Sequence, residues 1–309
     1  MGLARNTLLW ASENPYLLQH VPKYKFVRRA LTRFMPGENL EEAMSAARTF
    51  QSHEIPTVFT YLGESINDLN EAARVRDHYL MLLEKIAAEK LDIEISVKLT
   101  QLGLDLSPDH AYENMKALAE KARRLRNVVW IDMERSHYVD ATLELYRKVK
   151  KEFSNTGICL QSYLRRTKQD VEKLLDVSPM VRLVKGAYNE PKETAFPEKA
   201  TVDRNYEELS MLLLKGIKEN GTRAAFGTHD TKLHRRIIEE ADRIGLPKKK
   251  VEIQMLYGIK RNEQLRLAQE GHTVRVLISY GHAWYKWYVR RLAERPANAG
   301  FVLKNIFVR

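Results

Sequence analysis

The sequence predicts an α/β fold, a (β/α)8 barrel, and three observations carry that reading. Eight short runs rich in Val, Ile and aromatic residues recur along the chain, helical patterns lie between them, and no Pro/Gly/Ser-rich linker divides the array. The first four runs are "IPTVFTYLG" from Ile55, "DIEISVKLT" from Asp92, "NVVWIDME" from Asn127 and "TGICLQSYL" from Thr156. The last four are "MVRLVKGAY" from Met180, "RAAFGTHD" from Arg223, "VEIQMLYGI" from Val251 and "TVRVLISYG" from Thr273. Strict alternation of β and α units argues for a parallel sheet, and a count of eight argues for closure. Two of the intervening helical patterns are "INDLNEAARVRDHYLMLLEKIAAEK" and "SPDHAYENMKALAEKARRL", the second opening on Ser107 as N-cap with Pro108 in the first turn. The expected organisation is one domain over residues 1–309. Residues 1–54 form an N-terminal helical extension, and a helix after Tyr280 carries Arg290 and Arg291.

Composition narrows the class. A chain of 309 residues with 44% apolar and 29% charged residues is a globular protein with ample material for a core. It contains no apolar run long enough to span a bilayer. The opening "MGLARNTLLW" lacks the pattern of a secretory signal, and Asn6 stands where a myristoylation site requires Ser or Thr. A single cysteine, Cys159, rules out an internal disulfide and fits a reducing compartment. The net charge of +11 admits nucleic acid, an anionic membrane surface or an acidic small ligand as a partner. The basic residues are scattered, with no zinc-finger or RNP-like pattern, which argues against nucleic acid. The first 37 residues are basic, with Arg5, Lys23, Lys25, Arg28, Arg29 and Arg33 against Glu13.

A barrel of this kind builds its site at the C-terminal ends of its strands. Those ends carry Lys98, Thr100, Asp132, Glu134, Gln161, Tyr163, Lys185 and Tyr188, followed by Thr228, His229, Asp230, Gln254, Tyr257 and Tyr280. Strand ends meet solvent and are polar in any barrel, so the argument rests on the set, not on any single member. The sequence has no H-x-H, no H-E-x-x-H and no cysteine cluster, so metal-dependent hydrolysis is unsupported. No G-x-G-x-x-G signals a Rossmann site. A Schiff-base lyase or aldolase using Lys98 or Lys185 stays open at this point, because burial can depress a lysine pKa. Arg290 and Arg291 pose a separate question, since neighbouring helical residues point about 100° apart and two adjacent guanidinium groups repel unless an anion lies between them. Either Arg290 pairs with Glu294 on a solvated face, or the two arginines bind an anion.

The segments "VKLTQLGL", "IDME", "CLQSYLRR", "VRLVKGAY", "FGTHD", "EIQMLYG", "VRVLISYG" and "RRLAERPAN" occur in the order and context of the proline dehydrogenase family, which the chain resembles from about Thr57 to Asn298. "RLVKGAY" and "RRLAERPAN" are the most specific, and the length matches the monofunctional type. The resemblance implies a distorted (β/α)8 (TIM) barrel that binds FAD non-covalently at its mouth. Such an enzyme oxidises L-proline to 1-pyrroline-5-carboxylate and passes electrons to a membrane quinone, and a separate pyrroline-5-carboxylate dehydrogenase acts downstream. It also implies a cytoplasmic protein in peripheral contact with the inner face of the membrane.

Residue by residue, the resemblance makes Arg290 and Arg291 the clamp on the substrate carboxylate, with Lys98 assisting, Glu294 holding the clamp and Asp132 stabilising the cationic cluster. Tyr188, Leu256 and the last helix would surround the proline ring. Arg182 would lie near the isoalloxazine, Gln161 would hydrogen-bond that ring, and Val184 and Gly186, with Ala187 beside them, would line the turn below it. Thr228, His229, Lys185 and Val202 would meet the adenine-nucleotide half, with Gln254 a further contact. Two positions depart from the family pattern. Leu277 and Trp287 stand where the family has tyrosines lining the substrate ring. The expected pocket keeps apolar walls and loses two hydroxyls, which leaves room for a substituted proline, an N-alkyl proline or hydroxyproline as an alternative to proline.

Overall fold

Eight parallel strands pair in chain order and close on themselves, the last against the first. They are β1 (Thr57–Tyr61), β2 (Ile93–Lys98), β3 (Val129–Asp132) and β4 (Thr156–Gln161), then β5 (Met180–Val184), β6 (Arg223–Gly227), β7 (Glu252–Leu256) and β8 (Thr273–Tyr280). Every strand lies within one of the eight runs read from the sequence. The structure, a computed structural model, describes residues 32–63, 66–285, 288 and 289, and before them residues 7, 10, 11, 14–21 and 24. The helices α1 (Pro15–His20) and α2 (Leu40–Gln51) precede the barrel. The crossovers are α3 (Leu69–Glu89), α4 (Pro108–Arg124), α5 (Val139–Glu152), α6 (Thr167–Leu174), α7 (Lys199–Asn220), α8 (Thr231–Arg243) and α9 (Arg261–Gln269).

Local chemistry sets where these helices begin. The Asp68 carboxylate accepts from the Glu71 N–H at 2.9 Å and opens α3, so the two residues before it, Ile66 and Asn67, stay outside the helix. Ser107 caps α4 by accepting from the His110 N–H at 3.3 Å, with Pro108 in the first turn, as the sequence indicated. The principal core lies between the outer face of the sheet and the helices, where Phe59, Tyr79, Leu82, Ile95, Leu118 and Tyr206 are fully buried. Ala43, Met44 and Ala47 of α2 belong to the same cluster, so the last part of the N-terminal extension packs as an integral layer of the barrel.

The interior departs from the ordinary pattern. Strands buried on both faces usually read as continuous apolar runs. Here alternate residues of several strands are polar and meet inside the lumen. Near the N-terminal ends of the strands, Arg223 donates to Glu94 at 2.7 Å and to Glu252 at 2.6 Å, and Arg275 donates to Asp92 at 3.0 Å and Glu252 at 3.3 Å. Because β2 and β6 are not neighbours, the Glu94–Arg223 bond must cross the lumen. Burial alone would push the Glu252 carboxyl up, but Arg275 and Arg223 more than offset it and hold it below the ordinary range.

The Trp130 indole rests on this charged floor. Its Nε1 donates to Glu94 at 2.6 Å, and the Arg223 guanidinium lies 5.2 Å from its ring. Gly157, on the adjacent strand, leaves space for it. A Cβ there would sit 2.4 Å from the indole.

Candidate active site

One layer nearer the mouth, the lumen holds an arginine that the fold brings to partners from three strands. Arg182 of β5 is 2% exposed. It donates to the Asp132 carboxylate through a short bond, to Ser96 Oγ at 2.7 Å and to Gln254 Oε1 at 3.4 Å, and its guanidinium lies 5.4 Å from the Trp130 ring. Ser96 also donates to Asp132 at 2.9 Å. Burial opposes the charge on Arg182, yet the adjacent Asp132 carboxylate outweighs that effect, so the guanidinium is held more firmly protonated than in water. The same burial pushes the Cys159 thiol up, which keeps it neutral beside this pair. Asp132 is therefore committed to Arg182 and Ser96. Sequence reasoning assigned Asp132 to the substrate and Arg182 to the flavin, and the structure joins the two directly.

Lys98, at the C-terminal end of β2, sits beside Asp132 in the strand register. Its side chain is largely buried, at 9% exposure for the residue, and among the described residues it has no hydrogen-bond or ion-pair partner. Next to it Glu134 pins the loop after β2, accepting from the Thr100 N–H at 3.2 Å and from Thr100 Oγ1 at 2.7 Å. Gln161 ends β4, and its amide donates to the carbonyls of Met133 and Glu134, both at 3.2 Å. Its own Oε1 is buried and has no partner among the described residues. A buried amide oxygen without a donor costs free energy unless a ligand supplies one.

The opposite side of the mouth is built by the loops after β5 and β6. Lys185 donates to Asp203 of α7 at 2.6 Å and to Asp230 at 3.4 Å, and Lys199 closes the cluster against the same two carboxylates. The Lys185 amine is thus held in place between two carboxylates. Asp230 also caps α8 by accepting from the Lys232 N–H at 3.1 Å, and Lys185 helps hold its carboxyl below the ordinary range against the effect of burial. Thr228 Oγ1 accepts from the Asp230 N–H at 3.2 Å, and the buried His234 bonds the Thr228 carbonyl at 3.0 Å. His229 Nε2 accepts from the Leu256 N–H at 2.8 Å and so ties the end of β7 to the loop after β6.

Gly186 adopts a φ of +113°, and a Cβ on it would lie 2.1 Å from the Tyr163 ring. Its requirement for glycine thus comes from backbone conformation and from Tyr163, whatever else the turn contacts.

The remaining positions fall into two groups. Leu277 packs against the lumen cluster of Val58, Trp130, Met180 and Ala225. Tyr188, Val184, Ala187 and Leu256 are partly buried around the mouth, and the Arg135 guanidinium lies 6.0 Å from the Tyr188 ring. Val202 is buried on α7 and packs into the outer core. Trp287, Arg290, Arg291 and Glu294 lie outside the described residues.

Among the described residues, no cluster of His, Cys, Asp and Glu could hold a metal ion. No described helix is long and apolar enough to cross a membrane.

Sequence reasoning missed Ser96, Trp130 and the floor of Glu94, Arg223, Glu252 and Arg275. Their signal was present as polar residues two apart in runs that should be apolar throughout, as in "IEISVK" with Glu94, Ser96 and Lys98.

A sequence model of the family described as proline dehydrogenase matches residues 43–304. Proline dehydrogenase 1 of Bacillus subtilis strain 168 is 36% identical over 307 residues, an alignment covering 98% of this chain and 99% of that protein. Proline dehydrogenase of Deinococcus radiodurans is 36% identical over 313 residues, covering 98% of each. Among solved structures, proline utilization A from Bdellovibrio bacteriovorus, inactivated by N-propargylglycine, superposes with a TM-score of 0.82 at 25% identity. That match covers 99% of this chain and 37% of the other, so the chain spans little more than a third of that longer protein. With the barrel, the polar lumen and full-length relatives in agreement, the chain belongs to the proline dehydrogenase family, as an enzyme of that activity.

Proposed function

We propose that the chain oxidises L-proline to 1-pyrroline-5-carboxylate with a non-covalently bound FAD at the barrel mouth, and that the electrons pass to a membrane quinone. The observation that carries the reading is Lys98, a buried cation at a strand end with no partner among the described residues. Holding such a charge away from water is unfavourable unless an anion completes it, and the proline carboxylate is the anion this activity supplies. Arg290 and Arg291 would complete the carboxylate site, since the planar guanidinium fork binds carboxylates bidentately. Glu294 would hold that pair.

The residues of the mouth also suit a flavin. The orphaned Gln161 Oε1 offers an acceptor for a ring N–H. The firmly charged Arg182 offers a fixed positive charge close by, which favours any group that gains negative charge on reduction. When bound, FAD supplies a two-electron acceptor for the hydride leaving the ring carbon beside the proline nitrogen. Val184, Gly186 and Ala187 would lie against the ring, Thr228, His229, Lys185 and Val202 would serve the nucleotide half, and Gln254 would be a further contact in the pocket.

The protein's own part is to bind, orient and exclude water. Leu256, Leu277, Tyr188 and Trp287 would form apolar walls that hold the substrate ring carbon close to the acceptor, which is where most of the acceleration arises. Asp132, bonded to Arg182 and Ser96, keeps the guanidinium in place. The substrate amine must be neutral to release a hydride, so kcat/KM rises with pH through the ammonium pKa. Membership of the family sets aside a lyase built on Lys98 or Lys185. The basic N-terminal segment would bring the protein to the anionic inner face of a cytoplasmic membrane, and a separate pyrroline-5-carboxylate dehydrogenase would consume the product.

The test is the visible spectrum of the purified protein before and after anaerobic addition of L-proline. Flavin bands that bleach support the cofactor and substrate together. Bands that persist with proline but bleach with hydroxyproline or an N-alkyl proline move the substrate to the analogue and point to Leu277 and Trp287. A colourless protein that takes up no FAD refutes the proposal.

A further inference from the structure

The loop between β5 and α7 leaves the C-terminal end of β5 and carries Gly186, Ala187 and Tyr188. On one side, backbone contacts stitch it to the loop after β4. The Tyr163 N–H donates to the Lys185 carbonyl at 2.9 Å, the Phe196 N–H donates to the Tyr163 carbonyl at 2.8 Å, and Leu164 and Ala195 form an antiparallel bridge. On the other side, a side chain ties it to the loop after β3. Glu190 Oε1 accepts from the Ser136 N–H at 2.8 Å, and Glu190 Oε2 accepts from Ser136 Oγ at 2.5 Å. Both carboxylate oxygens therefore hold one residue, which opens the short turn Ser136–Tyr138 ahead of α5. Because β3, β4 and β5 are neighbours, this tie joins the two loops that flank the end of β4, where Gln161 sits.

Glu190 is also a stiff point in the chain. Pro191 follows it, with its own φ fixed by the ring and with a bias of Glu190 toward extended backbone. The Pro191 carbonyl then accepts from the N–H groups of Thr194 and Ala195 at 3.0 and 2.9 Å. Tyr188 thus lies between two anchored residues, Lys185 three positions before it and Glu190 two positions after it. Arg135 is next to Ser136 in the chain, and its guanidinium lies 6.0 Å from the Tyr188 ring. The bond from Glu190 to Ser136 holds the backbones that carry both members of that contact.

We propose that Glu190 is a positioning residue for substrate binding, holding Tyr188 against the substrate ring by tying its loop to Ser136. The proposal rests on the reading of Tyr188 as a wall of the substrate pocket. The Glu190 carboxylate is occupied by Ser136, so its effect on the substrate passes through Tyr188.

The experiment is a double-mutant cycle of Glu190→Ala and Tyr188→Ala in the flavin-loaded enzyme, with Glu190→Gln and Ser136→Ala beside it. It reads flavin content and kcat/KM for L-proline at saturating electron acceptor. With Tyr188 in place, Glu190→Ala lowers kcat/KM by about fivefold, roughly 1 kcal/mol, and leaves flavin content unchanged. In the Tyr188→Ala background the same change has less than about a 1.5-fold effect, because two residues acting through one contact are not additive. Glu190→Gln recovers most of the loss, since its side-chain carbonyl accepts from the Ser136 N–H and its amide donates to Ser136 Oγ. Should Glu190→Ala fail to fold, Ser136→Ala removes one of the two bonds from the other side. It is expected to lower kcat/KM about twofold with Tyr188 in place and not in the Tyr188→Ala background.

An unchanged kcat/KM in the folded Glu190→Ala and Ser136→Ala variants overturns the proposal. An equal loss in both backgrounds also overturns it, because that is what a purely structural role produces, and so does a Gln variant no better than Ala. Tyr188→Ala alone separates the two readings. A fall there with none from the Glu190 variants sinks only the positioning role, whereas an unchanged kcat/KM takes Tyr188 out of the pocket and sinks the wall itself.

Discussion

Replacing Lys98 by Met removes a charge and keeps most of the side-chain volume, and the structure makes its consequences unusual for a buried ionic residue. A charged hydrogen bond to a carboxylate is worth about 1.5–3 kcal/mol. Its loss therefore raises the proline KM by about tenfold to about 150-fold. Stability should not fall, because Lys98 has no partner among the described residues that its removal would orphan. Asp132→Ala provides the contrast. It leaves the Arg182 guanidinium buried at 2% exposure beside Ser96 and Gln254 without its counter-charge, and breaking such a pair costs about 3–5 kcal/mol. The assay is urea denaturation of both variants alongside steady-state kinetics at saturating electron acceptor. The reasoning is refuted if Lys98→Met unfolds as easily as Asp132→Ala, or if it binds proline as tightly as the parent.

Further outcomes follow from the same geometry. Gly157→Ala places a Cβ 2.4 Å from an indole held by Glu94 and two guanidinium groups. It should destabilise by about 1–3 kcal/mol in chemical denaturation. Burial holds the His78 imidazole below its ordinary value of 6.5. As pH falls through the window beneath that value, the unfolded chain takes up a proton that the folded chain does not, so stability falls with it. His78→Asn should flatten that decline in melting temperature, and the remaining slope should reflect His272, whose imidazole is also depressed, chiefly by burial. Lys185→Met leaves Asp203 and Asp230 facing Lys199 alone. Equilibrium dialysis should then show weaker retention of FAD, and unchanged retention would remove Lys185 from the cofactor site.

Much of the fold was legible because each βα unit carries its own signals. The runs around β2 and β5 are rich in Val, Ile and Leu, Asp68 and Ser107 announce α3 and α4, and eight repeats leave few ways to close a sheet. The candidate site was legible only as a set of polar strand ends. Lys98 and Lys185 read alike as lysines at strand ends, yet one has no partner among the described residues and the other is bonded to two carboxylates. Arg182 and Asp132 entered as contacts to different ligands and turned out to be each other's partner.

What the sequence determined by itself was local and periodic: eight strand-forming runs, helices with caps between them, polar residues at alternate strand positions, and motifs specific enough to name a family. What only the tertiary structure decided was which charges meet. Glu94 and Arg223 lie 129 positions apart on strands that are not neighbours, and they bond because closure of the barrel turns both side chains into one lumen. A strand's alternation states that a residue faces inward, but its partner depends on strand order and register, which no single segment of the chain contains.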